Sequence, residues 1–333
     1  MKRTYVAVIF LTMLGLLTGC GSGGGGGSKL TVAYVSDVGG LNDKGYNQYT
    51  YLGMKQGAQQ VGAKLDVIET NSPSDYVTNI TTAAREASLV VVSGFSMGDA
   101  LAQVSKQFPS KKFAILDFSY TDKLPNVQGD VFNAQEGSYL AGIVAAGISK
   151  THTIGFVGGV QSTLLNTFLA GYEAGALAED PNTHVKVAWT GSFTDQNAGK
   201  QDALGEIAQH ADVIYTAAGA SGLGGLAAAQ QSHVWGIGVD VDQHDVAPDT
   251  VVTSVVKELQ VASGDNVTSF ARGKWQAGTK TFSLANGGVG LAPYHNLSTD
   301  VPAGVQQAVS KARQDIISGQ VKPPATPRQP AGT

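Results

Sequence analysis

Cysteine, charge and long apolar runs are all scarce in this sequence. One cysteine, Cys20, occurs in 333 residues, so no disulfide can close within the chain. Charged residues make up 14% of the total and the net charge is −4. No Lys/Arg-rich run appears, so the electrostatic footprint of a nucleic-acid binder is missing. After the first twenty residues no apolar stretch approaches the ~20 residues of a membrane span. The six histidines, at 152, 184, 210, 233, 244 and 295, are scattered without ligand spacing, which argues against a zinc or manganese site. There is no nucleophile elbow and no H-E-x-x-H, and the one thiol, expected to carry a lipid, is not free for a Cys–His pair. What remains is abundant: 42% hydrophobic residues and 43 glycines, the composition of a well-packed globular body.

The position of the single cysteine is informative. Lys2 and Arg3 precede an almost wholly apolar run from Tyr5 to Leu17, and Leu17-Thr18-Gly19 leads directly into Cys20. This is a lipobox at the end of a secretory signal. Residues 1–20 are therefore expected to be a signal peptide, with Cys20 as the lipid anchor holding the chain on the extracytoplasmic face of the cell membrane. Residues 21–29 are nearly pure Gly and Ser and read as a flexible tether. At the other end, the Pro-rich segment 322–333 reads as a disordered tail.

Between these ends the hydrophobic period alternates. Short strand-like runs at Leu30–Ser36, Leu65–Glu69, Leu89–Ser93 and Lys112–Asp117 are separated by helical stripes such as Tyr51, Met54, Ala58 and Val61. After a long helix from Gln135 to about Lys150 the pattern restarts at Thr153–Val157, Val185–Trp189, Val213–Tyr215 and Trp235–Val239. A strand at Thr250–Val256, a weak one near Thr281–Leu284 and a last helix, opened by Pro302 and stopped by Gly319, complete the body. Such alternation predicts an α/β fold of two doubly wound parallel-sheet lobes. The expected division is 30–133 with 253–280 for the first lobe, and 134–252 with 281–321 for the second.

Ligands of open parallel sheets bind outside the carboxyl ends of the strands, so the residues following each strand are the candidates. They include Asp43, Tyr46 and Asn47, then Gly94, Asp117, Phe193, Gly219, Asp240 and Asp242. Gly94 and Gly219 would let the backbone approach a ligand closely. The loop Gly219–Gly225 is not a clean dinucleotide fingerprint.

Taken in order, several segments resemble the basic membrane protein family of ABC-transporter substrate-binding lipoproteins, which includes the purine nucleoside receptors. They are Gly39–Gln48, Gly94–Leu101, Phe108–Asp117, Glu136–Gly142, Ile154–Gly159, Gly191–Asp195, Gly236–Gln243 and Thr253–Lys257. The resemblance implies a type I periplasmic-binding-protein fold, with crossover strands joining lobes that close on a ligand. It implies a base held between the rings of Tyr46 and Phe193, and a polar set of Asn47, Asp117, Asp240 and Lys257, with Asp43 and Asp242 beside them. It also implies a nucleoside ligand, a purine by preference, handed to an ABC permease by a monomeric, non-enzymatic receptor without cofactors. A sugar receptor of the same fold and a signalling surface lipoprotein remain open alternatives. The chain departs from the family pattern at Asn42, Gly45, Leu223 and Tyr46, where members commonly have phenylalanine in place of the tyrosine.

Overall fold

A computed structural model describes residues 30–328. The signal peptide, Cys20, the tether and residues 329–333 lie outside the described residues. The chain begins β1 (Thr31–Val38), α1 (Tyr46–Val61), β2 (Lys64–Thr70), α2 (Tyr76–Glu86), β3 (Leu89–Ser93), α3 (Gly98–Gln107), β4 (Lys112–Leu116) and β5 (Val127–Phe132). After α4 (Ala134–Ile148) come β6 (Thr153–Gly158), α5 (Thr163–Glu179), β7 (His184–Trp189), α6 (Gln196–Ile207), β8 (Val213–Ala217), α7 (Ala220–Gln231) and β9 (Trp235–Asp240). The chain ends with β10 (Val251–Lys257), α8 (Leu259–Ala271), β11 (Gly278–Phe282), β12 (Val289–Leu291) and α9 (Ala303–Ile317). No described helix is long and apolar enough to cross a membrane.

The strands form two six-stranded sheets, ordered β11-β5-β4-β3-β1-β2 and β12-β10-β9-β8-β6-β7. Every pairing is parallel except β10 with β12. The orders match position for position, so β4 corresponds to β9, β3 to β8 and β5 to β10. The central strands β3 and β8 are buried at every residue, as strands covered by helices on both faces must be.

The topology corrects the expected boundaries between lobes. β10 pairs with β9, Val256 opposite Asp240, so 253–257 belongs to the second sheet. β11 pairs with β5, so 281–282 belongs to the first. The chain crosses between lobes at Asn133, at Glu258 and over 283–288. After the second crossing α8 returns to lie on α1, closely enough that a Cβ on Gly57 would stand 2.7 Å from the carbonyl oxygen of Gly264. Strand β10 is apolar and β-branched, so nothing in its own sequence favours one sheet over the other.

Two further differences have physical causes. β5 carries Gln128, Gly129 and Asp130 in a buried strand, so its hydrophobic pattern is masked. The tail is docked as far as Arg328 rather than free. The Val321 amide donates to the Asp315 carbonyl and the Arg328 amide to Glu173 Oε2, both at 3.0 Å. Many glycines serve helix packing rather than loops. Gly142, Gly171 and Gly175 let α4 and α5 approach so closely that an added Cβ on each would meet backbone at about 2 Å.

Candidate ligand-binding cleft

The carboxyl ends of both sheets face one another across a cleft whose empty space, mouth included, is about 660 Å³. Nine of the ten candidate ligand residues line it: Asp43, Tyr46, Asn47, Gly94, Asp117, Phe193, Gly219, Asp240 and Lys257. At its centre is a buried charge cluster. Lys257 Nζ, at the end of β10, donates to Asp117 Oδ2 at 2.7 Å and lies 3.1 Å from Asp240 Oδ1. Asp117 follows β4 of the first lobe and Asp240 ends β9 of the second, so the two acids occupy equivalent positions. Both adopt a left-handed backbone, φ 60° and 67°, which Asp tolerates better than most residues.

Three rings surround the ammonium. Its nitrogen lies 4.8 Å from the centre of Phe168, 5.2 Å from Tyr46 and 5.8 Å from Phe132, within cation–π range. Burial alone would lower the pKa of Lys257. The carboxylates of Asp117 and Asp240 override it and hold the amine protonated. Burial pushes Asp117 upward against the pull of the same lysine. The cluster is therefore an ion triad in a low-dielectric site, where each member depends on the others.

The surrounding polar groups are fixed from behind. Asp43 accepts from the backbone amides of Gly45, Asn47 and Gln48 at 3.0, 2.8 and 3.1 Å. Its oxygens thus cap the start of α1. Asn47 Oδ1 accepts from Ser93 Oγ at 2.7 Å and from the Asp37 amide at 3.3 Å, which leaves its Nδ2 donors to the cavity. Gly94 (φ 97°) and Gly219 (φ 56°) open the helical segments after β3 and β8. At Gly94 a Cβ would stand 2.7 Å from Asp37 Oδ2, so neither the conformation nor the space admits a side chain. Phe193 lies on Gly159, where a Cβ would stand 2.2 Å from the ring. It meets Phe95 of the first lobe edge-to-face at 6.2 Å. This ring contact, the Lys257–Asp117 pair and a long bond from Gln243 Nε2 to the Lys44 carbonyl (3.5 Å) join the lobes across the cleft.

Asp242 is the candidate that the structure places elsewhere. Its side chain turns away from Asp240 and pairs with His295 Nε2 at 2.7 Å, and the His295 ring stacks on His244. Asp37, Phe95, Leu164, Leu165 and Phe168 line the cavity without having been singled out from the sequence. The last three sit on α5, where their spacing reads as ordinary core. Asp37 and Phe95 do follow strands β1 and β3, and that position was the available signal.

Comparison with known proteins shows the family and the fold. The model of the family described as ABC transporter substrate-binding protein PnrA-like matches residues 30–326. The CD4+ T-cell-stimulating antigen of Listeria monocytogenes serovar 1/2a is 34% identical, covering 98% of this chain and 99% of that protein. The ABC transporter nucleoside-binding protein BmpA of Lactococcus lactis subsp. cremoris is 33% identical, covering 98% and 100%. Among solved structures, an ABC transporter solute-binding protein from Aeropyrum pernix K1 superposes with a TM-score of 0.83 at 24% identity, over 89% of this chain and 94% of that one. With its two doubly wound lobes and central cleft, the chain has the type I periplasmic-binding-protein fold, and it belongs to the PnrA-like family of ABC transporter substrate-binding proteins.

Proposed function

We propose that this protein captures a nucleoside, a purine by preference, between its lobes and delivers it to a membrane permease. The observation that carries the reading is the lining of the cleft. Tyr46 and Phe193 offer flat apolar faces, and Asp117, Asp240, Lys257 and the Asn47 amide offer hydrogen-bonding groups beside them. A nucleoside is a flat base joined to a ring of hydroxyls and needs both kinds of surface. Stacking supplies apolar burial and orientation. The polar groups reject analogues that leave them unpaired, at roughly 1–3 kcal/mol each. Ligand contacts drawn from both lobes favour the closed form over the open one, which couples binding to closure. The name of the Lactococcus relative supports the same ligand class.

The test is thermal denaturation of the folded domain against a panel of nucleosides, free bases and hexoses. A true ligand at 100 times its Kd adds ~2.7 kcal/mol of stability. Stabilisation by a hexose and by no nucleoside would replace the nucleoside assignment with a sugar. The membrane attachment through Cys20 is tested separately. Cys20→Ala should move the protein from the membrane to the soluble fraction while ligand affinity stays unchanged. Continued membrane retention of the variant sinks the anchor.

A further inference from the structure

Two buried polar atoms of the cleft have no hydrogen-bond partner among the described residues: Tyr46 Oη and Asp117 Oδ1. Other unpartnered buried atoms, on Asn166, Tyr172, Thr183, Trp189 and Glu206, belong to residues that do not line the cavity. The two atoms belong to one locality. Asp117 is the largest charged influence on the Tyr46 hydroxyl, and that hydroxyl lies near enough to lower the pKa of Asp117 as a hydrogen-bonding neighbour does, although neither unpartnered atom has the geometry of a formed bond. Lys257 connects the same groups, since it bonds the other Asp117 oxygen and lies over the Tyr46 ring. A buried carboxylate oxygen and a buried phenol left unpaired are costly, so the pair is a gap in an otherwise satisfied network.

We infer that Tyr46 Oη and Asp117 Oδ1 together read a single hydroxyl of the ligand, which makes Tyr46 a specificity-determining residue of this cleft. The chemistry follows from the donor inventory. Asp117 Oδ1 accepts in the ionised form of the acid, the form that the ion pair with Lys257 favours against the effect of burial. Burial raises the Tyr46 pKa, so the phenol keeps its proton and can donate. The matching group must donate to the one and accept from the other. A hydroxyl does both through one oxygen, whereas an ammonium only donates and a carbonyl only accepts. On the nucleoside reading, on which the choice of ligand rests, that group is a hydroxyl of the sugar. A phenylalanine at position 46 would keep the stacking face and lose the reader, so the departure from the family pattern becomes a difference in selectivity.

The experiment is calorimetry with the wild type and Tyr46→Phe, using adenosine, guanosine and their 2′-deoxy, 3′-deoxy and 5′-deoxy counterparts. In the wild type one deoxy position is expected to cost about tenfold or more in affinity, as loss of a partner to a buried polar group does. In Tyr46→Phe the parent nucleoside should weaken by about tenfold. The penalty at that one position should shrink, with the other two ratios unchanged. Equal weakening for every ligand, or no change for any, overturns the inference. A ligand-free control covers the case in which Tyr46 bonds Asp117 directly. Tyr46→Phe should then melt no lower than the wild type, and a clear drop in Tm overturns the inference. Failure of the nucleoside reading is distinguishable, because the wild type would bind none of these compounds. The same ratios would then be measured with glucose, galactose and their deoxy derivatives, and if neither class binds, the ligand-free melting comparison decides.

Discussion

Asp117, Asp240 and Lys257 are tied so closely that each should be costly to remove alone. Lys257→Met keeps an apolar stem but leaves two buried carboxylates without a counter-ion. Breaking a buried pair in this way costs about 3–5 kcal/mol. Urea unfolding at neutral pH should show a loss of that size, and the loss should shrink in acid as Asp117, whose pKa burial raises, takes up a proton. A variant as stable as the wild type would mean that the triad is already solvated. Phe193 has a different role. It is only partly buried, so Phe193→Ala should leave the fold nearly intact but weaken a stacked ligand by about 1–3 kcal/mol. Calorimetry on the folded domain measures it, and unchanged affinity would remove one wall from the proposed site. Asp117, Asp240 and Phe193 were legible in the sequence because each closely follows a strand, whereas Lys257 was reached only through the family resemblance. Phe168 was not legible, because an aromatic in an apolar helical stripe looks the same whether it faces core or ligand. Asp242 misled for the opposite reason. It shares the strand end with Asp240, but the chain turns its side chain outward to His295.

At the level of elements, β5 has the least readable sequence and an unusual interior. Asp130 is fully buried in it. It accepts from Gln128 Nε2 at 2.8 Å and from Asn266 Nδ2 on α8 at 2.5 Å. Trp275 Nε1 donates to Asn266 Oδ1 at 3.2 Å and fixes that amide's orientation. The network binds the returning α8 to the sheet that the first hundred residues build. Burial, opposed by these hydrogen bonds, pushes Asp130 up to about 6. In the unfolded chain the same carboxyl titrates near 3.9. Between those values the folded protein holds a proton that the unfolded chain has released. Its contribution to stability is therefore fully present below about pH 4 and is lost as pH rises through about 6, a change of about 3 kcal/mol. Urea unfolding from pH 4 to 7 should show this decline in the wild type. Asp130→Asn should be less stable throughout, since two donors already point at the site, but it should lack this part of the pH slope. An identical slope in both proteins would mean that Asp130 does not titrate in that range. The sequence concealed this strand because period-2 alternation assumes an apolar face, and here a satisfied polar network replaces it. β10 was legible as a strand but not as a member of one lobe, because that choice is made by its neighbour β9.

For the whole molecule, the two-lobed fold was readable from the repeated strand–helix alternation, whereas the crossings depend on contacts between distant segments. Glu136 joins two of them. It accepts from Asn133 Nδ2 and from the Leu284 amide, both at 2.7 Å, while Phe132 and Phe282 stack at 4.8 Å beside it. The lobes thus share a braced hinge and meet across a cleft with a marked charge imbalance. Asp37, Asp43, Asp117 and Asp240 line the cavity against one ammonium, Lys257. The imbalance predicts a neutral or cationic ligand. At an effective dielectric of about 20, one phosphate charge ~6 Å from one uncompensated carboxylate adds about 3 kcal/mol, more than a hundredfold in affinity. Nucleoside 5′-monophosphates should therefore bind at least about a hundredfold more weakly than the matching nucleosides. Competition calorimetry at neutral pH and low salt, where screening is least, gives the ratio. If the charge argument holds, a phosphorylated nutrient must be dephosphorylated outside the cell before this protein can capture it. Comparable affinity for a nucleoside and its monophosphate would show that the four carboxylates do not govern entry, and the charge argument would fall with the hydroxyl-reading role of Asp117 left standing.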